Sequence, residues 1–172
     1  IENKQDCCGC TACSTVCGHK AITMQPDAMG FLYPKVDLAK CTDCGLCDKV
    51  CPFDKPLEVI EPMFKQLDFA ARNVMSSVVA TSRSGGVFIA LSNYILEKGG
   101  VVYGAGFDTP FKVAHKRALS AKDRDEFKGS KYTQSDIIGI FQQVKSDLKD
   151  GRYVLFSGTP CQVAGLKSSL GR

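Results

Sequence analysis

Residues 7–17 read CCGCTACSTVC and residues 41–52 read CTDCGLCDKVCP, so one cysteine pattern occurs twice in the chain. In each copy, three cysteines are separated by two residues and a fourth follows after three more. Nine of the ten cysteines lie in this part of the chain, and the tenth is Cys161. A disulfide scaffold would distribute its cysteines along all 172 residues. The distribution therefore predicts one local site rather than a set of structural disulfides.

The spacing C-x2-C-x2-C-x3-C is typical of segments that bind two [4Fe-4S] clusters. Three thiolates on a tight loop hold one cluster, while the fourth, on a following helical turn, points to the other cluster. We therefore predict that each copy lends its last cysteine to the cluster of the other copy. The predicted ligands are Cys7, Cys10, Cys13 and Cys51 for the first cluster, and Cys41, Cys44, Cys47 and Cys17 for the second.

Two other interpretations of the cysteines stay open. Zinc sites also use C-x2-C pairs, but usually as two separated knuckles, and redox-active thiols need only one such pair. Cys8 exceeds the predicted ligand count, so it is either a bystander or a substitute ligand for Cys7. Gly18 stands where the second copy has Pro52, and we expect a less firmly fixed turn there.

The composition predicts a globular protein with no membrane span. Hydrophobic residues make up 44% and charged residues 23% of the chain, and the mean hydropathy is -0.06. No apolar run approaches the roughly 18 residues that a membrane span needs. The formal charge is +4, but two clusters with their thiolates carry enough negative charge to cancel it. The charge therefore gives no argument for nucleic acid, and we expect a cytoplasmic protein.

Prolines and a change of periodicity divide the chain. Pro52, Pro56 and Pro62 follow the second cysteine copy and predict a boundary there. We predict a ferredoxin-like domain with two [4Fe-4S] clusters at residues 1–56, a linker at 57–66 and an α/β domain at 67–172. Strands and helices alternate in the second domain, which predicts a parallel or mixed sheet.

Local patterns predict the individual elements. In the first domain, strands are expected at 21–24 and 31–36, around a turn. In the second, strands are expected at 67–72, 101–107, 112–118 and 153–156, the last of them buried, and 74–81 is either a short helix or a strand. Helices are expected from about 87 to a stop at Gly99, from a Ser135 cap to Leu148, and from Thr159 and Pro160 onward.

Three short stretches of the second domain have a composition suited to ligand binding. Residues 82–86 enter a helix and could hold a phosphate, although a plain helix cap is an equal alternative. Residues 129–135 form a polar loop or a solvated linker. Residues 157–162 follow a strand, where open α/β sheets bind ligands, and Cys161 is there either an activated thiol or a packing residue. His115 is expected to be structural.

The chain resembles the family of the coenzyme F420-reducing hydrogenase and dehydrogenase beta subunits. The likeness is carried by the duplicated cysteine pattern and by four further stretches. They are SGGVF at 84–88, GGVVYG at 99–104, GSKY at 129–132 and FSGTPCQVAGL at 156–166. Relatives continue beyond the position of Arg172, so we expect an α/β domain truncated at its C-terminus.

The resemblance implies that FAD is a cofactor and that the iron–sulfur clusters transfer electrons between FAD and another electron carrier. It places the flavin among Ser84, Gly85, Gly86, Ser130, Lys131, Tyr132, Thr159, Pro160, Cys161 and Gln162, with Cys161 as a candidate catalytic residue. The expected function is an iron–sulfur flavoprotein oxidoreductase that acts on a small-molecule substrate and a redox partner protein or ferredoxin-type carrier. The alternative is a ferredoxin-like electron carrier whose α/β part only docks another subunit.

Overall fold

A computed structural model describes residues 4–53 and 67–171. The predicted linker at 57–66 lies outside the described residues. Among the described residues, no helix has the length and apolar character needed to cross a bilayer.

The N-terminal region consists of short helices around a two-stranded hairpin. Strand β1 (Ile22–Pro26) pairs antiparallel with strand β2 (Leu32–Val36), with Ile22 opposite Val36, and Asp27 accepts backbone hydrogen bonds from the turn between them. This region contains a 3-10 turn (Lys4–Asp6), α1 (Ala12–Val16), β1 (Ile22–Pro26), β2 (Leu32–Val36) and α2 (Leu46–Lys49). The hairpin thus joins the two cysteine copies, and the strands expected at 21–24 and 31–36 are present with small shifts of their ends.

The second region is built on a three-stranded sheet of β3 (Val101–Thr109), β4 (Lys112–Ala118) and β5 (Val154–Phe156), in the order β4-β3-β5. Strand β3 is antiparallel to β4 and parallel to β5, so the sheet is mixed and the predicted fold class is confirmed. The elements are α3 (Ser76–Ser82), α4 (Val87–Glu97), β3 (Val101–Thr109), β4 (Lys112–Ala118), α5 (Ala121–Arg124), a 3-10 turn (Asp125–Phe127), α6 (Ile140–Lys149), β5 (Val154–Phe156) and α7 (Pro160–Ser169).

Alternate side chains of β3 enter two apolar layers, because successive residues of a strand point to opposite faces. Tyr103 packs in a cluster with residues of α6 and α7, and Val102 packs on the other face with Ala118 and Phe127. The apolar layer around Tyr103 also contains Ala12 of α1. The N-terminal region therefore shares a hydrophobic core with the sheet.

A buried polar group fastens α6 to this sheet. The Tyr103 hydroxyl donates a 2.5 Å hydrogen bond to Asp147 of α6. Arg117 of β4 donates to both carboxylate oxygens of Asp147, at 2.8 and 2.6 Å. These hydrogen bonds lower the pKa of Asp147, and those from Arg117 have the largest effect. The carboxylate is therefore ionised inside the fold.

Some expected elements are wrong. No strand forms at 67–72, where Leu67 and Phe69 are exposed and the neighbouring Asn73 donates its backbone N–H to the Gly85 carbonyl rather than to a strand. The ambiguous stretch 74–81 is a helix, α3. Ser135 does not cap α6, which begins five residues later. Strand β5 is only half-buried, because it lies at the edge of the sheet.

Candidate cluster and cofactor sites

The two cysteine copies fold with the same unusual backbone. Gly9 and Thr11 have φ angles of 65° each, and the equivalent residues Asp43 and Gly45 have φ angles of 51° and 67°. These positive values lie in the left-handed region, which L side chains rarely adopt. Such turns direct successive N–H groups toward one point and are common around iron–sulfur sites. The repeat is therefore one of conformation as well as of spacing.

Four predicted ligands surround one cavity. Cys7, Cys10, Cys13 and Cys51 line a cavity of about 150 Å³ together with apolar side chains of the hairpin. Gly9 donates its backbone N–H to the Cys7 sulfur at 3.4 Å. Cys51 is distant from the other three in sequence but shares their cavity. The donor set and its apolar lining suit a cluster with four thiolate ligands.

The second predicted ligand set is more open. Cys41 and Cys44 are exposed, and of this set only Cys47 lines the cavity just described. Cys17 accepts a 3.3 Å hydrogen bond from the backbone N–H of Ala21. Within the described ranges, no three Cys, His, Asp or Glu side chains are grouped around a single metal position. A cubane binds each thiolate at a different iron, so its ligands do not share one position.

The thiols of the first set differ in their acidity. Burial raises the pKa of Cys7, and it raises the pKa of Cys13 to about 11. A hydrogen bond with Cys8 lowers the pKa of Cys10, and the same hydrogen bond raises the pKa of Cys8. Cluster binding requires thiolates and so releases protons from these groups. The shared hydrogen bond therefore makes Cys10 a stronger acid and Cys8 a weaker acid.

A larger cleft of about 680 Å³ lies next to this loop. It is lined by all three stretches that the sequence singled out in the second domain. Of the ten residues expected around a flavin, eight line it: Ser84, Gly85, Gly86, Ser130, Lys131, Thr159, Cys161 and Gln162. Tyr132 and Pro160 do not line the cleft, and the Tyr132 side chain is 98% exposed.

One side of the cleft is held by a chain of hydrogen bonds. His115 Nε2 donates to the Ser157 carbonyl at 3.0 Å, so Nδ1 accepts the 2.8 Å hydrogen bond of the Ser135 hydroxyl. Ser135 accepts in turn from Gln162 Nε2 at 3.0 Å. The Gln162 Oε1 atom accepts from the backbone N–H of Thr159 at 2.9 Å. The network joins β4, the polar loop and α7, and burial lowers the pKa of His115.

Three cationic side chains stand around the cleft. Arg83, Lys128 and Lys131 are among its lining residues. Lys131 is held by the carbonyls of Glu126 and Lys128, at 2.9 and 3.0 Å, and burial lowers its pKa. The cleft therefore combines positive charge with the glycine backbone of 85–86, a combination that suits an anionic ligand.

Cys8 lines both the cleft and the smaller cavity. Its carbonyl accepts a 3.3 Å hydrogen bond from Gln134 Nε2, and Gln134 Oε1 accepts from the backbone N–H of Leu32 at 3.2 Å. A side chain of the second region thus holds the first cysteine loop and the hairpin together. Cys8 stands at the wall between the two spaces.

Sequence reasoning missed several residues of the cleft. Arg83 and Gln134 lie inside the stretches that the sequence singled out, but nothing in the pattern distinguishes them from their neighbours. His115 was expected to be structural, and its hydrogen bonds agree with that expectation, although it also lines the cleft. His115 can be identified as a residue of the cleft only in the folded structure, where its ring lies between Ser135 and the Ser157 carbonyl.

The comparisons with known proteins cover the first region. Residues 6–55 match the family of 4Fe-4S dicluster domains, and no curated protein matches the chain. The match spans both cysteine copies and supports two [4Fe-4S] clusters and a role in electron transfer. The N-terminal region of the chain is therefore an iron–sulfur, ferredoxin-like domain.

Proposed function

We propose that the protein is an iron–sulfur flavoprotein oxidoreductase that passes electrons between a small-molecule substrate and a one-electron carrier. The observation that carries this proposal is the cleft. The cleft is lined together by the stretches 82–86, 129–135 and 157–162. Cys8 lines both this cleft and the cavity of about 150 Å³ around Cys7, Cys10, Cys13 and Cys51, so the two spaces share a wall. The resemblance to the F420-reducing hydrogenase beta subunits adds the expectation of flavin.

The ligand assignment is part of this proposal. Cys7, Cys10, Cys13 and Cys51 hold one cluster, as their common cavity supports. Cys41, Cys44, Cys47 and Cys17 hold the other, as the repeated left-handed backbone of the second copy supports. The boundaries 1–56 and 67–172 are proposed for the two domains, although their described residues share one core.

The cleft residues fit a flavin dinucleotide. Gly85 and Gly86 line the cleft, and Gly85 packs against the chain at Ala71, where a Cβ would lie 2.8 Å from the carbonyl oxygen. Arg83 and Lys131 would oppose the charge of a pyrophosphate, together with Lys128, whose ammonium also contacts Asp125 at 2.9 Å. FAD would exchange two electrons with the substrate, whereas clusters carry electrons singly. The hydrogen-bonded chain from His115 to Thr159 keeps this side of the cleft in one arrangement.

Cys161 is the proposed residue in contact with flavin or substrate. It lies in the first turn of α7, its side chain lines the cleft, and its sulfur is 3.0 Å from the Thr159 hydroxyl oxygen. The partners are a small-molecule substrate and a ferredoxin-type carrier or other redox protein, and we expect both in the cytoplasm. The cluster domain, which carries electrons to this partner, faces the cleft through Cys8.

Cofactor analysis of the anaerobically purified protein tests the proposal. We expect a brown protein with about eight irons per chain and with flavin released on denaturation. Lys131→Ala should lower the flavin content while the iron content stays unchanged. Lys149→Ala, at an exposed site of α6, is the matched control and should change neither.

The alternative functions give different results in the same measurement. Iron without flavin, also after incubation with FAD, would support an electron carrier whose α/β part only docks a partner. Zinc without iron would support a zinc-bound interaction module and would contradict both redox functions. Loss of flavin in Lys149→Ala as large as in Lys131→Ala would remove the cleft as the binding site.

A further inference from the structure

Cys8 and Cys161 are the two cysteines that the cluster assignment does not use. The residue equivalent to Cys8 in the second copy is Thr42, so the repeat does not require a thiol at this position. Both cysteines are partly buried and both line the cleft. They come from different regions, one from the loop before α1 and the other from the first turn of α7. Two thiols from distant parts of the sequence therefore meet at one wall.

The packing of α7 brings these two thiols together. A Cβ on Gly165 would touch the Cys10 side chain at 2.8 Å, so this turn of α7 lies directly on the cysteine loop. Cys161 is four residues earlier and lies on the same face of the helix, because residues i and i+4 are neighbours there. Cys8 is two residues before Cys10. The turn of α7 that carries Cys161 is thus next to the turn that packs on Cys10, and Cys161 and Cys8 line the same cleft.

The Cys161 thiol is also one of the groups that act on the Cys8 thiol: it lowers the pKa of Cys8, although Cys10 and burial raise that pKa more. The Cys8 backbone is held by Gln134 at 3.3 Å, and Cys161 is held beside Thr159 at 3.0 Å.

We propose that Cys8 and Cys161 form a reversible disulfide. In the oxidising direction a small-molecule disulfide is the acceptor: one bond forms between the two Sγ atoms and the S–S bond of the acceptor breaks. The two electrons and both thiol protons pass to the acceptor, which leaves as a dithiol or two thiols. Formation of this disulfide requires only Cys8, Cys161 and the acceptor, and it does not depend on flavin binding.

The disulfide would join α7 to the cysteine loop at the wall between the cleft and the cluster cavity. It would also remove the Cys8 thiol from its hydrogen bond with Cys10, a predicted cluster ligand. Hydrogen bonds to the sulfur ligands are one of the factors that set the reduction potential of a cluster. The oxidation state of Cys8 and Cys161 would therefore affect both the lining of the cleft and the reduction potential of the cluster bound by Cys10.

Peptide mapping of the cluster-loaded full chain tests this proposal. The protein is equilibrated anaerobically with oxidised dithiothreitol, quenched in acid, alkylated and digested with trypsin. We expect a cross-link between the peptides 5–20 and 153–167 that disappears when reduced dithiothreitol is added. The absorbance of the clusters, followed in the same sample, shows that the ligand cysteines are still in place.

Variants identify the two sulfur atoms. Cys8→Ser and Cys161→Ser should each abolish the cross-link, and both should keep the iron content. The double variant Cys8→Ser/Thr42→Cys keeps ten cysteines but moves the thiol to the equivalent site of the other copy, and it should form no cross-link to 153–167. Alkylation of both Cys8 and Cys161 in the oxidised, cluster-loaded protein would overturn the proposal. A cross-link that persists in Cys8→Ser would do the same.

Discussion

Gly165 of α7 lies directly against Cys10 of the first cysteine loop: a Cβ on Gly165 would be 2.8 Å from the Cys10 sulfur and 3.0 Å from its Cβ. Contacts this short do not occur between real side chains, so the neighbour has to move. Cys10 is a proposed cluster ligand and is not free to rotate away. The absence of a side chain at position 165 therefore permits the cluster domain and the sheet region to pack together.

We expect Gly165→Ala to destabilise the cluster-loaded protein. Alanine is favoured over glycine in a helix by about 1 kcal/mol, but overpacking a tight site costs about 1–3 kcal/mol. The net result should be a lower melting temperature and a lower iron content per chain. Circular dichroism melting and iron analysis of the purified variant measure both quantities.

Gly18→Ala is the control for this substitution. Nothing lies within 4 Å of a Cβ on Gly18, and its φ angle is not in the left-handed region. This variant should keep both the melting temperature and the iron content. An equal loss in both variants would mean that the contact between α7 and Cys10 has no special role.

The exchange of the fourth cysteine between the two copies can be tested by comparing spectra of variants. If Cys51 completes the cluster of Cys7, Cys10 and Cys13, then Cys51→Ala should damage the same cluster as Cys13→Ala. Electron paramagnetic resonance spectra of these two reduced variants should match each other and differ from the spectrum of Cys44→Ala. A spectrum of Cys51→Ala that instead matches Cys44→Ala would show that each copy uses its own fourth cysteine.

Gln134 should be important for holding the cysteine loop on the sheet region. Its amide joins the Cys8 carbonyl, at 3.3 Å, to the Leu32 N–H, at 3.2 Å. Gln134→Ala leaves a donor and an acceptor without partners, which costs about 1–3 kcal/mol when they are buried. We expect a lower melting temperature and faster hydrogen exchange at the Leu32 amide.

Gln134→Glu separates the two hydrogen bonds of this side chain. A carboxylate still accepts from the Leu32 N–H but has no proton to donate to the Cys8 carbonyl. The Leu32 amide should therefore stay protected in Gln134→Glu and become exposed in Gln134→Ala. Equal exchange rates in the wild-type protein and both variants would show that this bridge does not form in solution.

Local sequence signals were sufficient where the structure depends on neighbours in the chain. The spacing of the cysteines predicts the iron–sulfur domain because each cluster requires ligands at set intervals. Helix α4 ends before Gly99 and helix α7 begins after Thr159, as expected, because caps and stop signals act within a few residues. These features need no knowledge of the tertiary fold.

The errors arise where distant groups compete for a local signal. Serine is a common helix cap, but the Ser135 hydroxyl donates its hydrogen bond to His115 and accepts one from Gln162. Both partners are 20 or more residues away. The helix begins instead after Gly139, whose φ of 80° starts it without a side-chain cap. The convergence of three stretches on one cleft is likewise a property of the sheet register and not of any stretch alone.

The stability of the protein should depend on pH through His115. Burial lowers its pKa below the ordinary value of 6.5, because a charged ring would lose its hydration inside the protein, and this outweighs the hydrogen bond to the Ser157 carbonyl, which favours the charged form. As the pH falls through 6.5, the unfolded chain takes up a proton that the folded protein does not bind. The stabilising contribution of the neutral ring is therefore complete above that pH and is lost progressively below it, by at most about 1.4 kcal/mol per pH unit.

His115→Gln should remove this part of the pH dependence, because glutamine keeps a donor and an acceptor but does not titrate between pH 7.5 and 5.5. Melting temperatures measured at these two pH values should differ less in His115→Gln than in the wild-type protein. His19, the other histidine of the chain, is exposed, and His19→Gln should keep the wild-type difference. If His19→Gln reduces the difference and His115→Gln does not, the buried ring has no part in the acid sensitivity, and the hydrogen-bonded chain along the cleft does not hold a neutral histidine in solution.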